Sequence, residues 1–495
     1  MNKDAQITSL YATIAAQSKT IEQLGYRLEA QSKQLEKLHQ QLEIFQRMLF
    51  GKKSEKQAKE SARKDEVNSL DNRMGQGRQR QGAKPKRQAL PASLPRIDVV
   101  HDLAEDEKQC GQCKQPLQRF GETVSEQIDF IPAQLIVKRH HRYKYQCRCG
   151  ITHAAMPNQP IDKGLPGAGL LADVLVSKYQ DAMPLYRQML RYRRFGFHCP
   201  DSTLCDWVKE CALLLEPLVQ TMREDLLLAK KIHTDDTTVP VLAKGKTKTG
   251  RLWVYLADKS HQSPICLYDY TPTRHSRGPV KYLNGYQGYL QADAYHGYDC
   301  LYASKKIIEV GCMAHARRKF VDVAKAAKGD SFANDIIKVI AKLYAIEKQT
   351  LHLTTVERYY YRKRHSKPVL RALHRLVSKH HKTATLNTPF YKALQYAINH
   401  WQALCRFLAD GDLSIDNNAA ERAIRPLVIG RKNWLFAGSD EGGKRAAIIY
   451  SIIETCKMNG INTFEYLTDI LAKIPNTLHK NIRSLLPYHW QQLRH

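Results

Sequence analysis

At 495 residues and 43% hydrophobic content, the chain is too long for one ordinary core and apolar enough to bury several. Lys and Arg outnumber Asp and Glu by 77 to 48, and the resulting net charge of +29 costs self-repulsion that a polyanionic partner relieves. That excess argues against an ordinary enzyme of small metabolites, and the absence of any apolar run near the roughly 20 residues of a membrane span predicts a cytoplasmic, nucleoid-associated protein.

Residues 1–50 carry a heptad stripe. Ile7, Leu10, Ile14, Gln17, Ile21, Leu24, Leu28, Gln31, Leu35, Leu38, Leu42, Phe45 and Leu49 follow one another in steps of three and four without an intervening proline. The 3.5-residue period predicts a coiled coil and a homo-oligomer of at least two chains; a long helix packed on its own chain is the alternative. Residues 51–96 lose that period and are rich in Lys, Arg, Gln and Gly, which predicts a basic linker.

Residues 97–160 are expected to form a small zinc-binding module. Cys110 and Cys113 form one pair, Cys147 and Cys149 a second, and an alternating segment from Val124 to Tyr145 lies between them. Two thiolate pairs on turns suit one structural Zn²⁺, with His153 as an alternative fourth ligand because Cys-x-Cys is tighter than the usual spacing.

Residues 161–228 have helical patterning. A basic amphipathic stretch from Leu185 to Arg194 meets the break Phe195-Gly-Phe, and Ser202 is placed to cap a following helix. This pattern predicts a helix-turn-helix-like DNA-binding region with Arg187, Arg191 and Arg194 facing phosphate, although many helical hairpins bind nothing.

From residue 229 the pattern changes to strands. Lys231–Asp235, Val239–Leu242, Arg251–Leu256, Ile265–Tyr270, Tyr289–Asp293 and Ile307–Cys312 are the expected strands, with a short helix at Gly278–Leu283 and a basic helix at Ala314–Lys328. That order predicts a mixed α/β sheet matching the RNase H-like fold over 229–440, with a helical insertion at about 330–409 and a C-terminal helical region over 441–495. The insertion is rich in Arg, Lys, His and Tyr, and it reads equally as a DNA clamp or a solvated lobe. Asp235 and Asp293 fall at expected strand ends. Glu421 falls one turn inside a short helix that Asp416 or Asn417 can cap and Pro426 is expected to end. Three such carboxylates can hold two Mg²⁺ or Mn²⁺ ions for phosphoryl transfer, but any one alone is most often a surface acid.

Several stretches resemble the insertion-sequence-66 family of bacterial DDE transposases. They include Leu49-Phe-Gly-Lys-Lys-Ser-Glu-Lys56, His233-Thr-Asp-Asp-Thr237, Leu290-Gln-Ala-Asp-Ala-Tyr-His-Gly-Tyr298 and Ala314-His-Ala-Arg-Arg-Lys-Phe320. The most specific is Asp416-Asn-Asn-Ala-Ala-Glu-Arg-Ala-Ile-Arg-Pro426, extended by Gly430-Arg-Lys-Asn-Trp-Leu-Phe-Ala-Gly-Ser439. The resemblance implies an RNase H-like DDE core, a zinc module and metal-dependent strand cleavage and transfer at the ends of an insertion sequence. It puts the three catalytic acids on Asp235, Asp293 and Glu421. The family usually has Glu where this chain has Asp236. Expected partners are double-stranded DNA at the inverted-repeat ends and the target, with accessory proteins of the same element. Arg422, Arg425, Arg431 and Lys432 are expected to hold backbone phosphates near the acids. A DNA-binding regulator with an inactive core, or an RNase H-like nuclease, are the alternatives.

Overall fold

The computed structural model describes residues 134–141, 144–147, 150–153, 158–162, 164–258, 263–326 and 331–490. The expected coiled coil and basic linker, and Cys110, Cys113 and Cys149, lie outside the described residues. Cys147 ends β1 (Lys144–Cys147), which pairs antiparallel with β2 (Gly150–His153). Among the described residues of the expected alternating segment, 134–141 carry no strand and Lys144 begins one; residues 124–133 lie outside the described residues.

Three helices follow: α1 (Ala168–Tyr179), α2 (Leu185–Arg194) and α3 (Asp201–Leu227). Gly196, with φ +82°, makes the turn after α2. Ser202 does not cap α3 but lies inside it, since Pro200 occupies the cap position and fixes φ there.

The centre of the molecule is a five-stranded sheet in the order β5-β4-β3-β6-β7. Its strands are β3 (Lys231–Ala243), β4 (Lys246–Ala257), β5 (Ile265–Thr271), β6 (Gly288–Gln291) and β7 (Ile307–Val310). β3, β4 and β5 form an antiparallel meander, whereas β6 and β7 run parallel to β3. Two short helices, α4 (Arg277–Tyr282) and α5 (Asp299–Ala303), lie in the connections. β3 is one strand of 13 residues, not the two expected pieces. Its polar middle stays in the ladder because each polar side chain finds a partner: Asp236 takes Arg251, and Thr237 and Thr238 take Arg431.

After α6 (Met313–Ala326) comes the expected helical insertion. It comprises α7 (Phe332–Gln349), α8 (Thr355–Thr383), α9 (Pro389–Asn399) and α10 (Trp401–Cys405). Ile336, Ile340 and Leu343 of α7 meet Leu370, Leu373 and Val377 of α8 in a second core, which β7 enters through Val310.

The chain then returns to the sheet through α11 (Asn418–Trp434), α12 (Asp440–Met458), α13 (Thr463–Lys473) and α14 (Pro487–Trp490). Pro426 does not end α11, which runs on to Trp434 because Ala423, Ile424 and Leu427 bury its inner face. α12 lies along the free edge of β5. Ser451 Oγ accepts from Tyr268 N at 2.8 Å, and Thr455 Oγ1 both accepts from Cys266 N and donates to Cys266 O at 3.0 Å. Asn459 Nδ2 donates to Pro264 O at 2.8 Å, so every fourth residue of the helix satisfies edge backbone. Gly443 permits this approach, since a Cβ there would come within 2.5 Å of the Tyr270 ring. No described helix is long and apolar enough to cross a membrane.

Candidate active site between strand β3 and helix α11

Strand parity decides which acids face each other. Asp235 pairs across the ladder with Val254, and Val254 pairs with Tyr268, whose hydroxyl donates to Ala423 O of α11 at 2.7 Å. Cross-strand partners share a face, so Asp235 lies on the α11 side of the sheet. Asp236 pairs with Trp253 and lies on the other side. The parallel register of β3 on β6 joins His233 to Gln291, and two positions further on it brings Asp235 level with Asp293. Asp293 stands two residues past the end of β6 rather than closing it, and Asp235 stands inside β3 rather than at its end.

Helix α11 is fastened along β3 at three levels. Asn417, fully buried at the helix cap, places Oδ1 3.0 Å from His233 Nδ1 and donates from Nδ2 to Thr234 O at 2.8 Å. Arg431 donates to the hydroxyls of Thr237 and Thr238 and to the Thr238 carbonyl. Beyond the helix, Ala437 N donates to Pro240 O at 2.8 Å and Ala437 O accepts from Leu242 N at 2.9 Å. At 1.5 Å per helical residue and ~3.3 Å per strand residue, 417–437 and 233–241 span about 30 and 26 Å, so one helix tracks one strand. Glu421, one turn into α11, is thereby held on the Asp235 side.

The electrostatics follow from that crowding. Burial pushes the Asp235 carboxyl up to about 7, and the negative charges of Asp293, Asp236 and Glu421 push the same way; only the amide of Asp236, donating to Oδ1 at 2.8 Å, opposes them. Glu421 has a cationic neighbour instead. Arg318 Nη2 lies 3.1 and 3.3 Å from its two oxygens, and His315 Nε2 lies 3.6 Å from Oε1. Burial and Arg318 hold the His315 imidazole below its usual range, against the pull of Asp293 and Glu421. Asp236 is occupied by Arg251 at 2.7 Å and Arg274 at 2.8 Å, and the Arg274 guanidinium lies 4.1 Å over the Tyr295 ring. Among the described residues no three acid, His or Cys side chains close into a ready-made metal cage. The acids share a field, with Glu421 turned toward Arg318.

The chain matches the model of the transposase IS66 family over residues 163–445. The zinc-finger binding domain of transposase IS66 matches 107–150, the IS66 C-terminal element 451–488, and a model described as transposase C of IS166 homeodomain 37–99. The chain belongs to the IS66 transposase family. Similar curated proteins of Sinorhizobium fredii (strain NBRC 101917 / NGR234) are the uncharacterized proteins y4hP and y4qI. The first is 32% identical over 83% of this chain and 78% of its own length, the second 33% identical over 83% and 79%.

In this IS66 transposase the expected phosphate-binding side chains fall into two groups. Arg425 and Lys432 are exposed on the Glu421 face of α11, at i+4 and i+11, and Arg422 is exposed at the rim of a cleft lined also by Tyr344, Arg358 and Glu454. Arg431 is held by β3, as described. On α2, Arg187 and Arg194 are exposed, while Arg191 pairs with Asp173 and stacks on Tyr192. Sequence reasoning missed Asn417 as a tie between elements, and it missed Arg251, Arg274, Arg318 and His315. Only the Ala314–Phe320 motif carried a signal for the last two.

Proposed function

We propose that the chain cleaves DNA strands at the ends of an insertion sequence and joins them to target DNA, with Asp235, Asp293 and Glu421 in catalysis. One observation carries the reading: a transposase-family chain sets a half-buried aspartate on the central strand of its sheet, where desolvation and then the charges of Asp293, Asp236 and Glu421 raise its proton affinity. Such a cluster is unfavourable by itself and suits a divalent cation as counter-charge. The strand order, with an antiparallel meander continued by two parallel strands, supports an RNase H-like core for 229–440.

The all-carboxylate donor set fits hard divalent ions such as Mg²⁺ or Mn²⁺, which would supply polarisation of the attacking and leaving oxygens in an in-line displacement at phosphorus. The chain's own groups do the rest. Arg318, beside Glu421, would be placed to hold a phosphate oxygen were Glu421 to serve as a metal ligand. Arg274, fixed by Asp236 and Tyr295, lies near enough to Asp293 for their charges to interact. Arg422, Arg425, Lys432, Arg187 and Arg194 face solvent and take DNA; Arg191 and Arg431 contribute from positions shared with protein partners.

Two further parts of the reading rest on the family match and the residues. Cys110, Cys113, Cys147 and Cys149 hold one structural Zn²⁺, and elemental analysis finding none in the purified chain overturns that. Residues 1–50 associate as a coiled coil into at least a dimer, which light scattering checks. The decisive assay uses a supercoiled plasmid carrying the element's terminal sequences, with Mg²⁺. Joined product is the expected result. Cleavage without joining would mean a nuclease, and binding without cleavage a regulator.

A further inference from the structure

Where α11 ends, an apolar tip stands in solvent. Leu435 and Phe436 are 61% and 41% exposed, and Leu242 of the neighbouring β3 is 43% exposed. The backbone there is strained. Leu435 has φ 64° and ψ −50°, and Phe436 N donates to Trp434 O at 2.8 Å, which together make a γ-turn of the rare form that a leucine strongly disfavours. The strain cannot relax by local fraying. Arg431 is tied to Thr238 four residues before the turn, and Ala437 is bonded on both sides to β3 just after it.

The surroundings say what such a tip meets. Lys432 precedes it, and Lys244 and Lys246 are exposed at the end of the β3–β4 hairpin alongside. Arg425 and Lys432 form a basic line from Glu421 toward the tip. The acids that follow the tip, Asp440 and Glu441, are each paired with a lysine, Lys248 and Lys444, so Lys432, Lys244 and Lys246 leave the patch net positive, complementary to a polyanion and poorly suited to a second copy of this +29 chain. Fourteen helical residues separate Glu421 from Leu435, about 21 Å at 1.5 Å each. At 3.4 Å per base step, that is roughly six base pairs.

We propose that Leu435 and Phe436 form a wedge that enters duplex DNA and partly unstacks one base step, about six base pairs from the phosphate held at the acids. This inference rests on the transposase reading above. Rigidly presented apolar side chains flanked by cations are what unstacking requires, because they occupy the opened step while the cations hold the backbone on either side. The wedge also assigns the strained turn a purpose: it aims two apolar side chains outward where relaxed helix or strand would turn one of them inward.

The test uses the full-length protein and a duplex with the element's terminal sequence, with 2-aminopurine placed singly along it. Ca²⁺ replaces Mg²⁺, so that the DNA is held at the acids while cleavage is suppressed. Unstacking relieves quenching, so a fluorescence rise of at least about twofold is expected within a step or two of the sixth base pair, and silence elsewhere. Leu435→Gly relieves the backbone strain and keeps the fold; combined with Phe436→Ala it should abolish most of the rise while the duplex stays bound. A complex that forms with no rise at any position overturns the wedge and leaves the transposase reading standing. So does a double variant that keeps the full rise. A double variant with unchanged fluorescence but lower mass in light scattering would assign the tip to contact between copies. Failure to bind the terminal duplex better than random DNA strikes instead at the reading beneath.

Discussion

Across the sheet, α11 is fixed to β3 by polar groups far apart in sequence, whereas the lobe from Phe332 to Leu408 is fixed by apolar helix faces and one buried arginine. Asn417 reaches His233 and Thr234, and Arg431 reaches Thr237 and Thr238. In the lobe, Arg362 has a nearly unexposed side chain that meets both oxygens of Glu347 at 2.9 and 2.7 Å. It also donates to the carbonyls of Phe407 and Asp410 at 3.0 Å. The difference teaches what each region must deliver. Directional bonds set the angle and height of one helix over one strand, which a carboxylate cluster needs; non-directional burial makes a sturdy body without fixing any atom closely.

The acids offer the strongest way to break this comparison. Asp235→Asn, Asp293→Asn and Glu421→Gln should each lower strand cleavage by at least about 10³-fold with DNA binding retained, since one carboxylate of a charge cluster is removed and the fold kept. Asp236→Asn should lower it about tenfold, because Arg251 and Arg274 lose their anchor on the opposite face. Rates on a labelled end duplex check both. Equal damage from Asp235→Asn and Asp236→Asn would mean that strand parity does not govern the site.

Next come the two fastenings themselves. Arg362→Met leaves Glu347 buried without its partner and should cost about 3–5 kcal/mol in urea melts. Cleavage per folded molecule should stay near normal well below the transition. Asn417→Ala should cost about 1–3 kcal/mol, one or two buried hydrogen bonds, yet reduce cleavage more than Arg362→Met does. If the ranking of activity follows the ranking of stability, the directional and the bulk regions do not differ in kind.

A pH dependence sharpens the electrostatics. The Asp235 carboxyl is raised to about 7 in the fold and sits near 3.9 when unfolded. The native state therefore holds a proton that the unfolded chain releases, and stability is lost as pH rises from about 4 through 7. In EDTA, Asp235→Asn should be more stable than the parent at pH 8, by up to roughly 4 kcal/mol, and equal to it near pH 4. Thermal melts at the two pH values check the sign. A variant less stable at pH 8 would show that burial and the neighbouring acids together do not raise the Asp235 carboxyl.

The lobe was legible from sequence because its helices bury residues at helical spacing, and so were the strands rich in Val, Ile, Leu and Tyr. Two errors in the catalytic half share one cause. The run Asp235-Asp-Thr-Thr238 looks like a strand break, and Pro426 looks like a helix stop. Both are local signals overruled by partners about 190 residues away or by a buried helix face. The three acids were named through motif resemblance, and their spacing in the chain did not bring them together. Arg274 was invisible for the same reason, since a lone arginine carries no periodicity and only the folded register brings it to Asp236, while Arg318 was signalled by the Ala314–Phe320 motif alone.

One more consequence follows from Ser451, Thr455 and Asn459, which cover the β5 edge. A chain proposed to gather in several copies on one DNA meets its own surfaces at high effective concentration, conditions in which a bare strand edge recruits strands from neighbours. Here that edge is occupied by hydroxyls and an amide of the same molecule. Crowding on DNA can therefore proceed without the sheets fusing along that edge, which three polar side chains already occupy.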